Sequence, residues 1–496
     1  MFDKIKQLIG HVLIYGFGNI GNRMVGFLLI PVYSRYLSPA DYGVLALVGM
    51  FDQILYAVMN MGQSSALFRT YFAHDDSKGH ETVVTTSLWL IVCLSMPIGL
   101  LGLVLAKPLA VIVTGNADYA SWLALGVAAV VAKVLLRLPL QVLRARQASR
   151  QYAGWMLAQT LAGFVLAIIF VVGVHWGGWG VLLSQLLGQV LVVAYLLPAT
   201  VKGLAPRFSK HDAMELLTYG LAVMPTAIFS FLIHLSDRYF LKYYTSVSVV
   251  GIYALGYRFG EVLYFVILAF ELAYPQFVFG QLKTREAPAL YARVCTYFFV
   301  IMGFAWLAVS LPAEEIVRVM AHPAYYEAHR VIPWIAGAFF FQGVGWVWNI
   351  GMHVHKIVKV RLIVSITTMV LILGLNFWLI PRYGMMGAAA AALLSFMLQA
   401  VIQVVVGHRY YPVPFEFGRV TKVAVVILGT YFVGNHITWG SIPMALAGKA
   451  ILILCAPLLL YLTGFFEPGE MDRVKTLIQG FRRGSAGALQ LPEKGK

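Results

Sequence analysis

The chain has 496 residues, 60% of them hydrophobic and only 12% charged, with a mean hydropathy of +0.79. Soluble domains carry roughly 25% charged residues, so this composition excludes a soluble globular protein and indicates a polytopic membrane protein. The net charge of +16 does not imply nucleic acid, because the basic residues fall in short loops between apolar runs.

The N-terminal run holds Lys4 and Lys6, then Asn19, Asn22 and Arg23, without a small-residue cleavage site. No cleavable signal peptide is therefore expected. Phe2, Ile5 and Ile9 predict an amphipathic helix on the membrane surface. Apolar stretches bounded by Pro, Gly and charge then predict fourteen spans, at about 11–33, 41–64, 83–106, 119–141, 153–174, 179–198, 214–236, 250–272, 289–311, 331–351, 360–380, 385–406, 420–437 and 444–463. In the tail, Met471, Val474, Leu477, Ile478 and Phe481 recur at helical spacing among basic residues, predicting a second surface helix.

Orientation follows from the positive-inside rule. With both termini in the cytoplasm, 25 of the 37 Lys and Arg residues lie on the inner side and 8 on the outer side, while Arg23, Lys133, Arg137 and Arg258 fall within spans. That bias accounts for the basic charge.

The chain also repeats itself. "GVLALVGMF" (Gly43 to Phe51) and "GIYALGYRF" (Gly251 to Phe259) share Gly, Ala, Leu and Phe at an offset of 208, and each opens the second span of a six-span block. "GGWGVLLSQLLG" (Gly177 to Gly188) echoes "PRYGMMGAAAAALL" (Pro381 to Leu394), at the openings of spans 6 and 12. The expected architecture is all-α, with about fourteen transmembrane helices. Two six-helix lobes, 1–200 and 201–412, are related by a pseudo-twofold along the membrane normal. Spans 13 and 14 (413–465) and a cytoplasmic amphipathic tail (466–496) follow. Repeats with a site between them are the usual plan of a secondary transporter.

Polar residues at helical spacing mark faces that avoid lipid. Span 1 carries Asn19, Asn22, Arg23 and Gly26. Span 2 carries Asp52, Tyr56, Asn60 and Gln63. Span 4 carries Lys133, Arg137, Gln141 and Arg144. Span 7 carries Thr226, Ser230, His234 and Asp237, span 8 carries Tyr257, Arg258, Glu261 and Tyr264, and span 10 carries Gln342, Asn349 and His353. Spans 1, 2 and 4 are expected to face 7, 8 and 10 across a polar interior. Arg23 and Arg258 are its midplane cations; Arg258 lies eight residues from the outer end of its span, roughly 12 Å deep. Arg137, near the inner end of span 4, is open to a snorkelling reading. Asp237 and Arg238 are expected at the outer mouth. Arg258 and Glu261, at i and i+3, are open to a second reading as a structural ion pair.

Other motifs carry little. "GFGNIG" (Gly16 to Gly21) lies inside a span without a βαβ unit, which favours helix packing over dinucleotide binding. "HVH" at 353–355 is too sparse for a metal site. Cys93, Cys295 and Cys455 are isolated in apolar runs, so neither a disulfide framework nor a zinc site is expected. No Walker A, H-E-x-x-H or G-x-S-x-G sequence occurs, and the loops are too short for a catalytic domain, so no enzyme is expected.

Three stretches carry a family resemblance: "PVYSRYLSPADYGVLAL" (Pro31 to Leu47), "SDRYFLKYYTSVSVVGIYALGYRF" (Ser236 to Phe259) and "LNFWLIPRYGMMGAAAAALLS" (Leu375 to Ser395). In order and spacing they resemble Wzx-type polysaccharide flippases, within the multidrug/oligosaccharidyl-lipid/polysaccharide exporter superfamily. The resemblance covers roughly residues 10–465. It implies a two-lobed, alternating-access transporter in a bacterial inner membrane. The substrate would be an undecaprenyl-pyrophosphate-linked oligosaccharide moved from the inner to the outer leaflet. The related lipid II flippases place arginines of spans 1, 2 and 8 in a central cavity for the pyrophosphate. Arg23 and Arg258 match the first and last of these places, whereas span 2 offers Asp52.

The expected substrate-binding set is Arg23, Arg258, Lys133, Arg137, Asn19, Asn22, Asp52, Asn60, Glu261, Tyr257, His234 and Asn349. Guanidinium groups suit phosphate oxygens, and the amide and aromatic lining suits sugars. No cofactor or metal is expected, and coupling to a proton or sodium gradient is left open by Asp52, Glu261 and Glu271. Expected partners are the lipid-linked oligosaccharide, membrane lipids, and a polysaccharide polymerase with its chain-length machinery. Two alternatives stand beside this reading: a cation-coupled multidrug antiporter, and a non-transporting membrane scaffold of a polysaccharide assembly complex.

Overall fold

A computed structural model describes residues 26–282, 284–354 and 358–467. Asn19, Asn22, Arg23, the Gly16 to Gly21 run, both amphipathic flanks and most of span 1 lie outside the described residues. Within them every regular element is helical. Twelve segments are long and apolar enough to cross a membrane. This is an all-α, multi-pass membrane protein.

The helices in chain order are α1 (Ile30–Tyr36), α2 (Pro39–Asn60), α3 (Gln63–Tyr71), α4 (Ser77–Val104), α5 (Ala106–Thr114), α6 (Ala120–Ala145), α7 (Ser149–Ile168), α8 (Gly177–Val201), α9 (Lys210–Tyr244), α10 (Val247–Gly260), α11 (Leu263–Gln281), α12 (Ala287–Ser310), α13 (Ala313–Met320), α14 (Ile332–Trp348), α15 (Ile350–Val354), α16 (Val358–Tyr410), α17 (Phe417–His436) and α18 (Ile442–Leu462).

The repeat governs how α2 and α10 begin. Ser38 caps α2, accepting from the Asp41 amide at 3.1 Å, and Asp41 Oδ2 accepts from the Ser38 amide in return at 3.3 Å. Ser246 caps α10, accepting from the Val249 amide at 3.3 Å. The two caps are 208 residues apart. One turn further on, the helices cross at Gly43 and Gly251. A Cβ on Gly43 would strike the Val247 carbonyl oxygen, and a Cβ on Gly251 would strike the Pro39 carbonyl oxygen. Adding 208 to positions 39 and 43 gives 247 and 251, so the contact is self-complementary. Helices related by a twofold meet in this way.

The second echo is also structural. Gly177 and Gly384 both have a positive φ, +55° and +56°, which disfavours a residue with a β-carbon. Gly177 opens α8. Gly384, with ψ of −131°, kinks α16 and divides it into two helices, which correspond to spans 11 and 12.

Two bundles pack within one compact unit, residues 1–284 and 313–412. In the first, α6 packs against α4 and α8, and α7 against α8; in the second, α16 packs against α9 and α14, and α10 against α14. The bundles meet where α2 contacts α9 and α10, and where α3 contacts α9. A core of Met59, Leu67, Val84, Val134, Leu138 and Leu216 joins the two bundles along α2, α3, α4, α6 and α9. Residues 285–312 and 413–496 form a second unit. There Leu307, Leu311, Val423, Ile427, Ala456 and Leu460 build a core from α12, α17 and α18.

One expectation is corrected. Span 8 is not a uniform α-helix: between α10, which ends at Gly260, and α11, which begins at Leu263, Glu261 and Val262 keep right-handed helical dihedrals but form a tightened turn. The turn keeps short-range bonds, Tyr264 N to Glu261 O at 2.9 Å and Phe265 N to Val262 O at 3.1 Å. Gly260 lets this point press against Ile335 and Ala336 of α14.

Candidate functional site

A cavity of about 470 Å³ lies where the two bundles face each other. Its N-terminal wall includes Tyr33, Tyr42, Asp52, Gln53 and Gln185, and its C-terminal wall Ser230, His234, Arg238, Tyr257, Arg258, Glu261 and Tyr264. Cross-bundle contacts cap both ends. At one end, beside the Gly43–Gly251 crossing, the Tyr325 hydroxyl donates to the Leu37 carbonyl at 2.9 Å, and Lys242 Nζ donates to the Ile112 carbonyl at 2.7 Å. At the other, His74 Nε2 meets Asp212 Oδ1 at 3.1 Å and the Thr85 hydroxyl donates to the Arg207 carbonyl at 2.7 Å.

Arg258 is exposed to this cavity. It occupies the last turn of α10, where the negative end of the helix dipole favours a cation. The guanidinium stacks 5.6 Å from the Tyr42 ring centroid. Among the described residues no carboxylate lies within ion-pair distance of Arg258; Glu261 also lines the cavity but is not its partner. The buried Tyr42 hydroxyl has no partner among the protein atoms and adds a second polar group on this wall.

Arg238 lines the cavity rather than the outer mouth. It is only 7% exposed, pairs with Asp237 Oδ1 at 3.0 Å, donates to the His234 carbonyl at 3.1 Å and lies 4.5 Å from the Tyr257 ring centroid. The Tyr253 hydroxyl donates to the other Asp237 oxygen at 2.5 Å. This cation is neutralised and orders its neighbours, whereas Arg258 keeps its charge for the cavity. Sequence reasoning misplaced Arg238 because hydropathy locates the end of a span, not the depth of the cavity wall.

Of the expected site residues, the cavity brings together Asp52, His234, Tyr257, Arg258 and Glu261. His234 stacks on Phe339 and Phe396 and meets Gln342 at 3.3 Å. Lys133 sits one layer behind, donating to Gln53 Oε1 at 3.4 Å and lying 4.7 Å from the Tyr56 ring centroid. Gly126 of α6 allows the Asp52 carboxylate to lie close against that helix. Three expected residues are elsewhere. Asn349 is buried at the α14–α16 contact, where its Oδ1 crowds Gly407. Asn60 and Arg137 line a separate small pocket inside the N-terminal bundle. Tyr33, Tyr42, Gln53 and Gln185 were not anticipated, although Gln185 belongs to a repeat stretch and Tyr33 and Tyr42 to the Pro31 to Leu47 stretch.

A second space of about 210 Å³ is bounded by Gly26, Phe27, Arg258, Glu261, Val262 and Phe265. Arg258 and Glu261 border both spaces, so they stand between the central cavity and a flank beside the end of span 1. The candidate metal cluster among the described residues is His211, Asp212 and Glu215 on the first turns of α9, away from the cavity.

Residues 9–279, more than half of the chain, match the family described as Polysaccharide biosynthesis protein. The chain belongs to that family. It is 27% identical over 302 residues to the succinoglycan biosynthesis transport protein ExoT of Rhizobium meliloti (strain 1021), a match spanning 58% of each chain. Its fold is similar to that of the lipid II flippase MurJ in an inward closed conformation, with TM-score 0.74, 12% identity, and coverage of 91% of this chain and 97% of that one. An inward-facing multidrug resistance MATE family transporter of the MOP superfamily also shares the fold, with TM-score 0.64, 17% identity, and coverage of 81% and 95%. Family and fold agree with the resemblance carried by the hairpin and junction motifs. The relative and the two solved structures are named as a transport protein, a flippase and a transporter.

Proposed function

We propose that the chain is a flippase for an undecaprenyl-pyrophosphate-linked oligosaccharide, carrying it from the inner to the outer leaflet of a bacterial inner membrane by alternating access, with both termini cytoplasmic. The observation that carries this reading is Arg258: a guanidinium exposed to a membrane-embedded cavity, without an acidic partner among the described residues, at the turn where the cavity meets a lateral opening. A pyrophosphate is the group that compensates such a cation, through paired hydrogen bonds. The prenyl chain would remain in lipid beside Phe27 and Phe265 while the sugars meet the tyrosines and glutamines of the cavity.

The positive-inside bias assigns the Gly43–Gly251 crossing to the outer gate and the His74–Asp212 contact to the inner gate. Membrane lipids contact the whole apolar exterior, and a polymerase is the natural acceptor of the product.

The antiporter reading rests on a separate observation: Asp52 and Glu261 line the same cavity, and the MATE fold is shared. One experiment separates the two. In cells lacking their own copy, Arg258→Ala should abolish surface polysaccharide and accumulate the lipid-linked precursor, with Arg258→Lys intermediate because it keeps the charge but not the fork. Wild-type polysaccharide from Arg258→Ala would overturn the flippase reading. Dye efflux that requires Asp52, with polysaccharide unchanged, would establish the antiporter.

A further inference from the structure

Tyr42 and Arg258 meet across the outer gate. Tyr42 belongs to α2 and Arg258 to α10, and the guanidinium lies 5.6 Å from the Tyr42 ring centroid, within the range of a cation–π contact. Both residues are tied to the Gly43–Gly251 crossing. Tyr42 precedes Gly43, and Arg258 follows Gly251 by two helical turns, on the same face of α10. The Tyr42 ring is held in place: it is only 3% exposed. Tyr325 packs against it edge-to-face with centroids 5.9 Å apart, and is itself bonded to the Leu37 carbonyl at 2.9 Å. Arg258, by contrast, is a long side chain exposed to the cavity.

The crossing itself does not require this pair. Its glycines are related by the offset of 208, but adding 208 to position 42 gives Val250, and subtracting 208 from position 258 gives Met50. A packing requirement of the twofold contact would appear in both halves, and the ring and cation appear in one. What the pair offers is orientation. An aromatic face holds a guanidinium by its plane and leaves its edge donors free for phosphate oxygens. Restricting so long a side chain beforehand lowers the entropy lost when an anion binds. The platform also depends on the gate. When α2 and α10 part at the crossing, the ring leaves with α2 and the guanidinium stays with α10.

We propose that Tyr42 is a positioning residue that ties the phosphate affinity of Arg258 to the outer gate. With the gate shut, the ring holds the guanidinium ready for a pyrophosphate; with the gate open, the platform is gone and the site binds more weakly. The inference rests on the pyrophosphate reading of Arg258. The substrate is held tightly while the outer gate is shut and is loosened in the state from which it leaves. By linkage, bound substrate favours the shut gate by the same factor.

The test is equilibrium binding of undecaprenyl pyrophosphate to the purified full-length protein in detergent. Arg258→Gln should abolish binding. Tyr42→Leu should weaken it about 2- to 30-fold, the range of a cation–π contact, and Tyr42→Phe should recover most of that loss. A trifluorinated phenylalanine in place of Tyr42 keeps the shape of the ring but cancels its negative face, and should bind like Tyr42→Leu. Gate closure is read from spin labels on Asn116→Cys and Tyr243→Cys, exposed positions of the two bundles, with the native cysteines replaced. The ligand should raise the shut fraction with Tyr42 present and leave it unchanged in the trifluorinated variant. Binding of the trifluorinated variant equal to that of Tyr42→Phe overturns the proposal and leaves the flippase reading standing. A ligand that shuts the gate equally in both proteins also overturns it. Equal binding by wild type and Arg258→Gln overturns the pyrophosphate reading and this inference with it.

Discussion

The crossing of α2 and α10 makes the outer gate open to a quantitative test. In Gly251→Ala the new methyl group meets the Pro39 carbonyl oxygen, which is backbone and has no rotamer by which to yield. The helices must part by roughly an ångström or more, and overpacking of this kind typically costs about 1–3 kcal/mol. That cost falls only on states in which the gate is shut. At about 2 kcal/mol the ratio of closed to open molecules drops about 30-fold, so an open state populated at about 2% would rise to about 40%. The assay is labelling of a single cysteine at Ala46, a cavity position, by a membrane-impermeant maleimide added outside. Cys93, Cys295 and Cys455 are replaced first. Gly43→Ala should give a similar acceleration, because its methyl group meets the Val247 carbonyl in the twofold-related place. The double variant should add less than the sum, since both methyl groups force apart one crossing. Labelling at the wild-type rate in both single variants, with folding intact, would refute the assignment of this crossing as a gate.

Three other outcomes follow from the structure. Asp237→Asn leaves Arg238 buried without its partner and should cost about 3–5 kcal/mol, read as a lower melting temperature in detergent; Tyr253→Phe, which removes one bond to the carboxylate, should cost about 1.5–3 kcal/mol. Equal melting of Asp237→Asn and wild type would show that the pair is not structural. Gly384→Ala and Gly177→Ala should each lose about 1–3 kcal/mol because a β-carbon disfavours their positive φ, and a large difference between them would argue against equivalent roles in the two halves. Arg258→Ala should remove surface polysaccharide without lowering protein level, measured by immunoblot beside the glycan stain.

Much of the architecture was legible without coordinates. Apolar run length is set by bilayer thickness, which is why the helical segments fall close to the expected spans. The 208-residue offset was visible because a repeat must keep the residues its contact needs: Ser38 and Ser246 for the caps, Gly43 and Gly251 for the crossing. The tightened turn after Gly260 was not legible. Its neighbours are aromatic and aliphatic on both sides, and hydropathy cannot distinguish a turn supported by packing on α14 from a continuous helix. Asn349 and Asn60 were misread as lining because an amide facing another helix and an amide facing a cavity leave the same mark in the sequence.

The sequence by itself determined the class, the span lengths, the charge bias and the pairing of the two halves, since each is a one-dimensional consequence of the hydrophobic core of the bilayer and of chain repetition. Only the tertiary structure decided the fate of each intramembrane charge. Arg238 is silenced by Asp237, Arg258 is held at a helix end facing the cavity, and Arg137 is left among amide and hydroxyl groups. Whether a charge is compensated depends on what stands within a few ångströms in space: Arg238 has its partner next to it in the chain, whereas Arg258 meets Tyr42 of a helix distant in the chain.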